Sequence, residues 1–153
     1  MKIRIGDMWS AWDTADLFLI TTNSTYDKDG CLVMGAGIAG QAAKRFPRLP
    51  CTLGERLRSM NAEDKGIYGL LVSTMWPQAK LGLFQTKRDW QDSASKVLVI
   101  ISTNMLVEWA NEHPDAQIHL NYPGIGKGNL SEEEVFPIIE RLPENVTIWK
   151  EKL

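Results

Sequence analysis

Two glycine-rich stretches, residues 34–40 (MGAGIAG) and 123–128 (PGIGKG), carry the clearest chemistry in this sequence. Each lies between an apolar run that reads as a strand and a segment that reads as a helix. A strand passing through such a loop into a helix leaves backbone N–H groups free and aims the positive end of the helix dipole at the gap. That arrangement attracts an anion. Gly35-Ala36-Gly37 lets the main chain approach a ligand without Cβ interference, and Gly124-Ile125-Gly126-Lys127-Gly128 repeats the device. Two such loops suit a diphosphate held from both sides. The P-loop is absent, since no G-K-[ST] occurs, while Gly35, Gly37 and Gly40 have the G-x-G-x-x-G spacing, which alone is a weak signal.

Composition narrows the field. The chain has 153 residues, 44% hydrophobic and 24% charged, which is ordinary for one globular domain with a substantial core. A net charge of −2 supplies no global positive field for coating DNA or a membrane, although a local patch could still hold a nucleic acid. Cys31 and Cys51 stand twenty residues apart, with no CxxC and no histidine cluster, which argues against a disulfide framework and against a zinc site. The segment MKIRIGDMWSAWDTAD lacks the apolar core of a signal peptide, and no stretch approaches the roughly 18 apolar residues of a membrane span. The expectation is a cytoplasmic protein with no membrane partner.

The elements that must position the loops follow from periodicity. Residues 2–5 (KIRI) and 16–21 (DLFLIT) read as strands, the second buried on both faces. Helices are expected at 38–46, with Ile38, Ala42 and Phe46 on one face, and at 51–60, with Leu53, Leu57 and Met60 on one side. Strands are expected at 67–73 and 81–87, joined by a loop containing Trp76-Pro77. Segment 90–111 reads as a helix from the spacing of Ala94, Leu98, Ile101, Met105 and Trp109. A strand at 116–122 leads into the second glycine loop. Helix 131–142 follows, with Ser131 and Glu134 as a capping box and Val135, Ile138, Ile139 and Leu142 as its core stripe. Residues 145–149 give a last strand. With no repeat or linker, residues 1–153 read as one α/β domain, a mixed sheet covered by helices on both faces.

In this order the motifs resemble a macro domain, the ADP-ribose-binding fold, over nearly the whole chain. The pieces that carry the resemblance are Gly6-Asp7-Met8, ITTN at 20–23, VMGAGIAGQAAKRFP at 33–47, FQTKRDW at 84–90, PGIGKGNLSEEEVFPIIERL at 123–142, and Trp149. The MGAGIA loop and the T-K-x-x-W segment are similar to the branch of DNA ADP-ribosyl glycohydrolase antitoxins and terminal ADP-ribose–protein glycohydrolases. The resemblance implies a three-layer α/β/α fold with a mixed central sheet of about six strands. It implies that Asp7 accepts from the adenine amino group, with the Met8 backbone beside it. Gly35, Ala36, Gly37, Ile38 and Ala39 would wrap the diphosphate and distal ribose. Gly124, Ile125, Gly126, Lys127 and Gly128 would close over the phosphates, and Trp149 would flank the adenine.

The same resemblance gives Asn23 to the distal ribose hydroxyls and Lys87 to its anomeric carbon, C1″. An amide offers a vicinal diol both a donor and an acceptor. A lysine whose pKa is lowered by desolvation can attack a ring-opened aldehyde or act as a base. Neither role needs a metal or another cofactor. Taken alone, Asn23 is an ordinary turn residue, Lys87 a solvated strand-end lysine and His119 a core histidine, while His113 is a solvated cation at a helix end. The chain departs from that branch in a longer segment between Asn23 and Met34, in Asp89 where histidine is common, and in a shorter loop after Gly128. That last change removes the aspartate position used on ADP-ribosylated glutamate. The expected function is an ADP-ribosyl hydrolase acting on a nucleic-acid base, DNA included, or another acceptor. The alternatives are a non-catalytic ADP-ribose reader and an ADP-ribose 1″-phosphate phosphatase. A monomer without an obligate protein partner is expected.

Overall fold

The computed structural model describes residues 1–61, 66–72 and 80–151. Six strands, β1 (Lys2–Ile5), β2 (Leu17–Thr22), β3 (Leu70–Leu71), β4 (Leu81–Gln85), β5 (Ile118–Asn121) and β6 (Val146–Lys150), form one sheet in the order β1-β6-β5-β2-β4-β3. Every described pairing is parallel except β3 with β4. Helices α1 (Gly37–Arg45), α2 (Leu49–Asn61), α3 (Lys96–Glu112) and α4 (Glu132–Ile139) complete a mixed α/β architecture.

The alternation of β2 sorts the core into two layers. Phe18 and Ile20 point to one face, where Ala42 of α1 and Leu49, Leu53 and Leu57 of α2 cover them. Leu17 and Leu19 point to the other, against Val99, Leu106 and Ala110 of α3 and Val135 and Ile139 of α4. All of these β2 side chains are at most 1% exposed, as a strand buried on both faces requires. Truncating one such leucine costs about 2–5 kcal/mol. α4 starts as expected: Ser131 Oγ accepts from Glu134 N at 3.1 Å and the Glu134 carboxylate takes Ser131 N at 3.1 Å.

The structure corrects four expectations. α3 begins only at Lys96, capped by Ser95, and its buried line is Leu98, Val99, Ser102, Thr103, Leu106 and Ala110. Met105, assigned to the core stripe, is 39% exposed. The helix is apolar on nearly every side, so periodicity alone could not choose its inner face. Met60 is 42% exposed, because the buried row of α2 runs Leu49, Leu53, Leu57 and Met60 falls beside it. The strand expected at 67–73 pairs only at Leu70–Leu71, since Gly69 takes a left-handed φ of 71° just before. Ser73 and the Trp76-Pro77 loop lie outside the described residues. Finally, Cys31 and Cys51 form a disulfide. Spacing in sequence gave no sign of this, because α2 folds back onto the 24–33 segment.

Candidate functional site

Five parallel strands run the same way, so residues that follow them gather along one edge. In open parallel α/β sheets this carboxyl edge is where ligands bind. β1 ends in Gly6-Asp7, β5 in Tyr122-Pro123-Gly124, β2 in Asn23 and β4 in Thr86-Lys87, while Trp149 lies near the end of β6. Strand order therefore lays out Asp7, Trp149, the second glycine loop, Asn23 and Lys87 in that sequence. Four strand spacings separate the first from the last, about 19 Å.

At the β1 end, the Asp7 carboxylate accepts from Trp9 N at 3.0 Å and caps a 3-10 turn over Met8–Ala11. Asp7 is exposed while Met8 beneath it is 4% exposed. The turn is tied to α1, because Trp9 Nε1 donates to Gln41 Oε1 at 2.7 Å and the Arg45 guanidinium sits 4.1 Å from the Trp9 ring centre. Trp149 is 7% exposed, with Gly6 beside it and the Arg4 guanidinium 5.8 Å from its ring centre, so the indole has no open face for the expected stacking. Its Nε1 donates to His119 Nδ1 at 2.9 Å, which puts the imidazole proton on Nε2. Burial and the nearby Arg4 charge hold His119 below the usual histidine range, against a weaker pull from Asp16. His119 is thus the satisfied core histidine that its apolar strand suggested. His113 caps the end of α3, with Nδ1 2.8 Å from Trp109 O, and is exposed.

The two glycine loops differ in construction. Helix α1 has Ala36 at its N-cap with no side-chain cap and no acid in its first turn. By contrast, Ser95 and Ser131 cap α3 and α4. The first N–H groups of α1 are thus left for another acceptor. Gly37 has φ 58°, and a Cβ built there or on Gly35 would meet nothing within 4 Å, so the loop faces open space. Gly40 serves packing instead, with the Gly35 carbonyl carbon 3.1 Å from where its Cβ would stand. In the second loop Gly124 (φ 81°) and Gly126 (φ 65°) turn the chain back, and Leu130 N reaches Gly124 O at 2.9 Å. Ala94 N donates to Gly128 O at 2.8 Å, and Ser95 N to Thr86 O at 2.8 Å, so this loop is coupled to the segment after Lys87. Ile125 is half-buried, while Lys127 is an exposed cation on the turn.

Asn23 and Lys87 leave adjacent parallel strands, as Thr22 pairs with Gln85. Asn23 is 8% exposed, and its amide shapes the backbone: Nδ2 donates to Val33 O at 3.0 Å and Oδ1 accepts from Thr25 N at 2.9 Å. One N–H and one lone pair of that amide remain for a ligand. The Lys87 ammonium donates to Asp92 O at 3.0 Å and lies 3.5 Å from Trp90 O. Ile38 and Ala39 lie in the first turn of α1, half-buried and buried respectively.

Sequence reasoning missed the residues that hold this corner. Gln85, fully buried, accepts from Tyr68 N at 2.8 Å and Gly69 N at 3.0 Å and donates to Gly66 O at 2.7 Å. The Tyr68 hydroxyl donates to Asn23 O at 2.8 Å and contacts Thr22 Oγ1, and burial pushes its pKa up. A polar glutamine inside the apolar run LGLFQ was the available signal.

No family model matches the sequence, and no curated protein does. Solved structures do. The chain superposes on Thermosipho africanus DarTG in complex with ADP-ribose at TM-score 0.73 and 20% identity, over 100% of this chain and 42% of that one. It superposes on the macrodomain of Thermus aquaticus DarG at 0.72 and 24% identity, covering 99% and 97% of the two chains. The fold is that of a macrodomain. The macrodomain of Mycobacterium tuberculosis DarG matches at 0.70 and 24% identity, again over 99% and 97%. The chain spans 42% of the DarTG chain but 97% of each DarG macrodomain.

Proposed function

We propose that this macrodomain binds ADP-ribose along the carboxyl edge of its sheet and removes it from a nucleic-acid base or another acceptor. The observation that carries the reading is the uncapped N-terminus of α1 behind the open Gly35-Ala36-Gly37 loop, on a helix tied through Gln41 to Trp9 of the Asp7 turn. Adenine lies at Asp7 and the edge of Trp149. The diphosphate takes the free N–H groups of α1 and the second glycine loop, and the distal ribose reaches Asn23 and Lys87. The bond from C1″ to the acceptor breaks with its electron pair leaving on the acceptor, which gains a proton, and water supplies the new C1″ oxygen. In this reading Lys87 acts on the ring-opened aldehyde or takes the proton of that water. The domain is read as acting alone, as a cytoplasmic monomer.

Saturating ADP-ribose at about 100 times Kd is expected to raise the Tm by about 5–10 °C. No shift at millimolar ligand would overturn the binding. ADP-ribosylated DNA, ADP-ribosylated protein and ADP-ribose 1″-phosphate are then each incubated with wild type and Lys87→Ala. Release from DNA that the substitution abolishes supports the hydrolase. Phosphate release untouched by the substitution supports a phosphatase.

The hydrogen bonds of the Asn23 amide to Thr25 and Val33 favour a second reading, a non-catalytic reader of ADP-ribose. Binding with no release from any substrate supports it.

A further inference from the structure

The Cys31–Cys51 disulfide encloses the first glycine loop. The chain between the two cysteines contains Gly35, Ala36, Gly37, Ile38 and Ala39 and the whole of α1. Cys31 ends a tight hairpin in which Tyr26 bridges Leu32 and the Asp27 carboxylate takes Asp29 N at 2.8 Å and Cys31 N at 3.0 Å. Two residues on, Val33 O receives the Asn23 amide and Val33 N donates to Thr25 O at 2.9 Å. Cys51 lies in the first turn of α2. The covalent bond therefore fixes α2 to the hairpin, and the hairpin to both Asn23 and the glycine loop.

Leu32 of the hairpin joins Leu49, Leu53 and Leu57 of α2 in one buried cluster, and polar contacts also cross the seam. Leu32 N donates to Pro50 O at 2.9 Å and Arg58 Nε to Gly30 O at 3.2 Å. Gly54 lies so close to the Gly30 carbonyl that it has no room for a Cβ. Cys51 is exposed and Cys31 is covered, so an external thiol reaches the bond from the α2 side. Leu49, Leu53 and Leu57, all 0% exposed, hold α2 on the sheet whatever the state of the sulfurs.

We propose that Cys31–Cys51 is a reversible thiol-exchange site that sets how firmly the first glycine loop grips ADP-ribose, firm when oxidised and loose when reduced. It rests on the ADP-ribose reading above. A thiolate of a dithiol reductant attacks Cys51 Sγ, and Cys31 leaves as a thiolate and takes up a proton. The second thiol of the reductant then displaces Cys51 from the mixed disulfide. The reductant departs as its own disulfide, leaving two electrons and two protons on the cysteines. An oxidised dithiol runs the exchange in reverse. A loop already tethered loses less freedom when a ligand orders it, so the oxidised form binds more tightly. Coupling is reciprocal: if oxidation tightens ADP-ribose by about 5-fold, ADP-ribose makes the disulfide's potential more negative by about 20 mV.

The test is calorimetry of the whole chain with ADP-ribose, oxidised with cyclic oxidised dithiothreitol and then reduced with dithiothreitol. Wild type is expected to lose about 5-fold or more in affinity on reduction. A double variant, Cys31→Ser with Cys51→Ser, is expected to match the reduced form and ignore the reductant. Amide exchange across residues 33–40 of the ligand-free protein is expected to quicken on reduction. Equal affinity in both forms, or unchanged exchange at 33–40, overturns the gate alone. Absence of ADP-ribose binding in either form fails the ligand reading, and the gate with it.

Discussion

Trp149 and His119 join pH to the end of the sheet where adenine binding is proposed. The imidazole accepts the indole N–H on Nδ1, so protonation there breaks the bond at 2.9 Å and places a cation near Arg4. Because the folded protein holds His119 below its ordinary value of 6.5, its neutral form contributes stability above pH 6.5. That contribution is lost as pH falls below 6.5 toward the lower folded value. Wild type is therefore expected to lose more urea stability between pH 7 and pH 5 than His119→Asn, whose amide oxygen can still accept from the indole. Equal losses would show that the pair carries no pH dependence. At this scale the sequence was readable for groups with one local role. Asp7 in its turn and the buried His119 were visible; the shielding of Trp149 was not, since it depends on Gly6 and Arg4 from the opposite end of the chain.

Between elements, the glycines divide into those that face a ligand and those that face the protein. Gly37→Ala places a side chain at φ 58° with nothing within 4 Å, so the expected cost is about 1–2 kcal/mol of stability together with weaker ADP-ribose binding. Gly54→Ala meets the backbone of Gly30, Cys31 and Leu32, and is expected to destabilise by about 1–3 kcal/mol in chemical denaturation. A neutral Gly54→Ala would mean that α2 and the hairpin are not in close contact. Ser131→Ala removes a described cap and is expected to cost about 1 kcal/mol. That cap was legible because a capping box is written in four consecutive residues. The inner face of α3 was not, because apolar residues surround the helix and only its packing on α4, β4 and β3 selects one side.

For the whole molecule, the order of strands carries more information about the site than the order of residues does. Asp7 and Trp149 come from opposite ends of the sequence and share one side of the sheet because β1 pairs with β6, while Asn23 and Lys87 follow adjacent strands because β2 pairs with β4. Gln85 and Tyr68 joined the site unannounced for the same reason. Parallel pairings between distant segments leave no local trace in composition or spacing, and neither did the disulfide. What local patterning did encode was the existence of the strands, the two glycine loops and the layering of helices on both faces.

The pairing of β1 with β6 also has a consequence during synthesis. β6 is the described neighbour of β1 in the sheet, and their register sets Lys2 beside Thr147 and Ile5 beside Lys150. β1 thus leaves the ribosome well before the strand it pairs with, by about 7–30 s at ordinary elongation rates. During that interval Ile3 and Ile5 have no sheet to join, and Gly6 before the Asp7 turn has no Trp149 beside it. A nascent chain halted before residue 146 would then carry the first glycine loop without β6 and Trp149. Stalled chains are expected to gain protection from proteolysis abruptly, once 146–150 clear the exit tunnel, rather than in step with length.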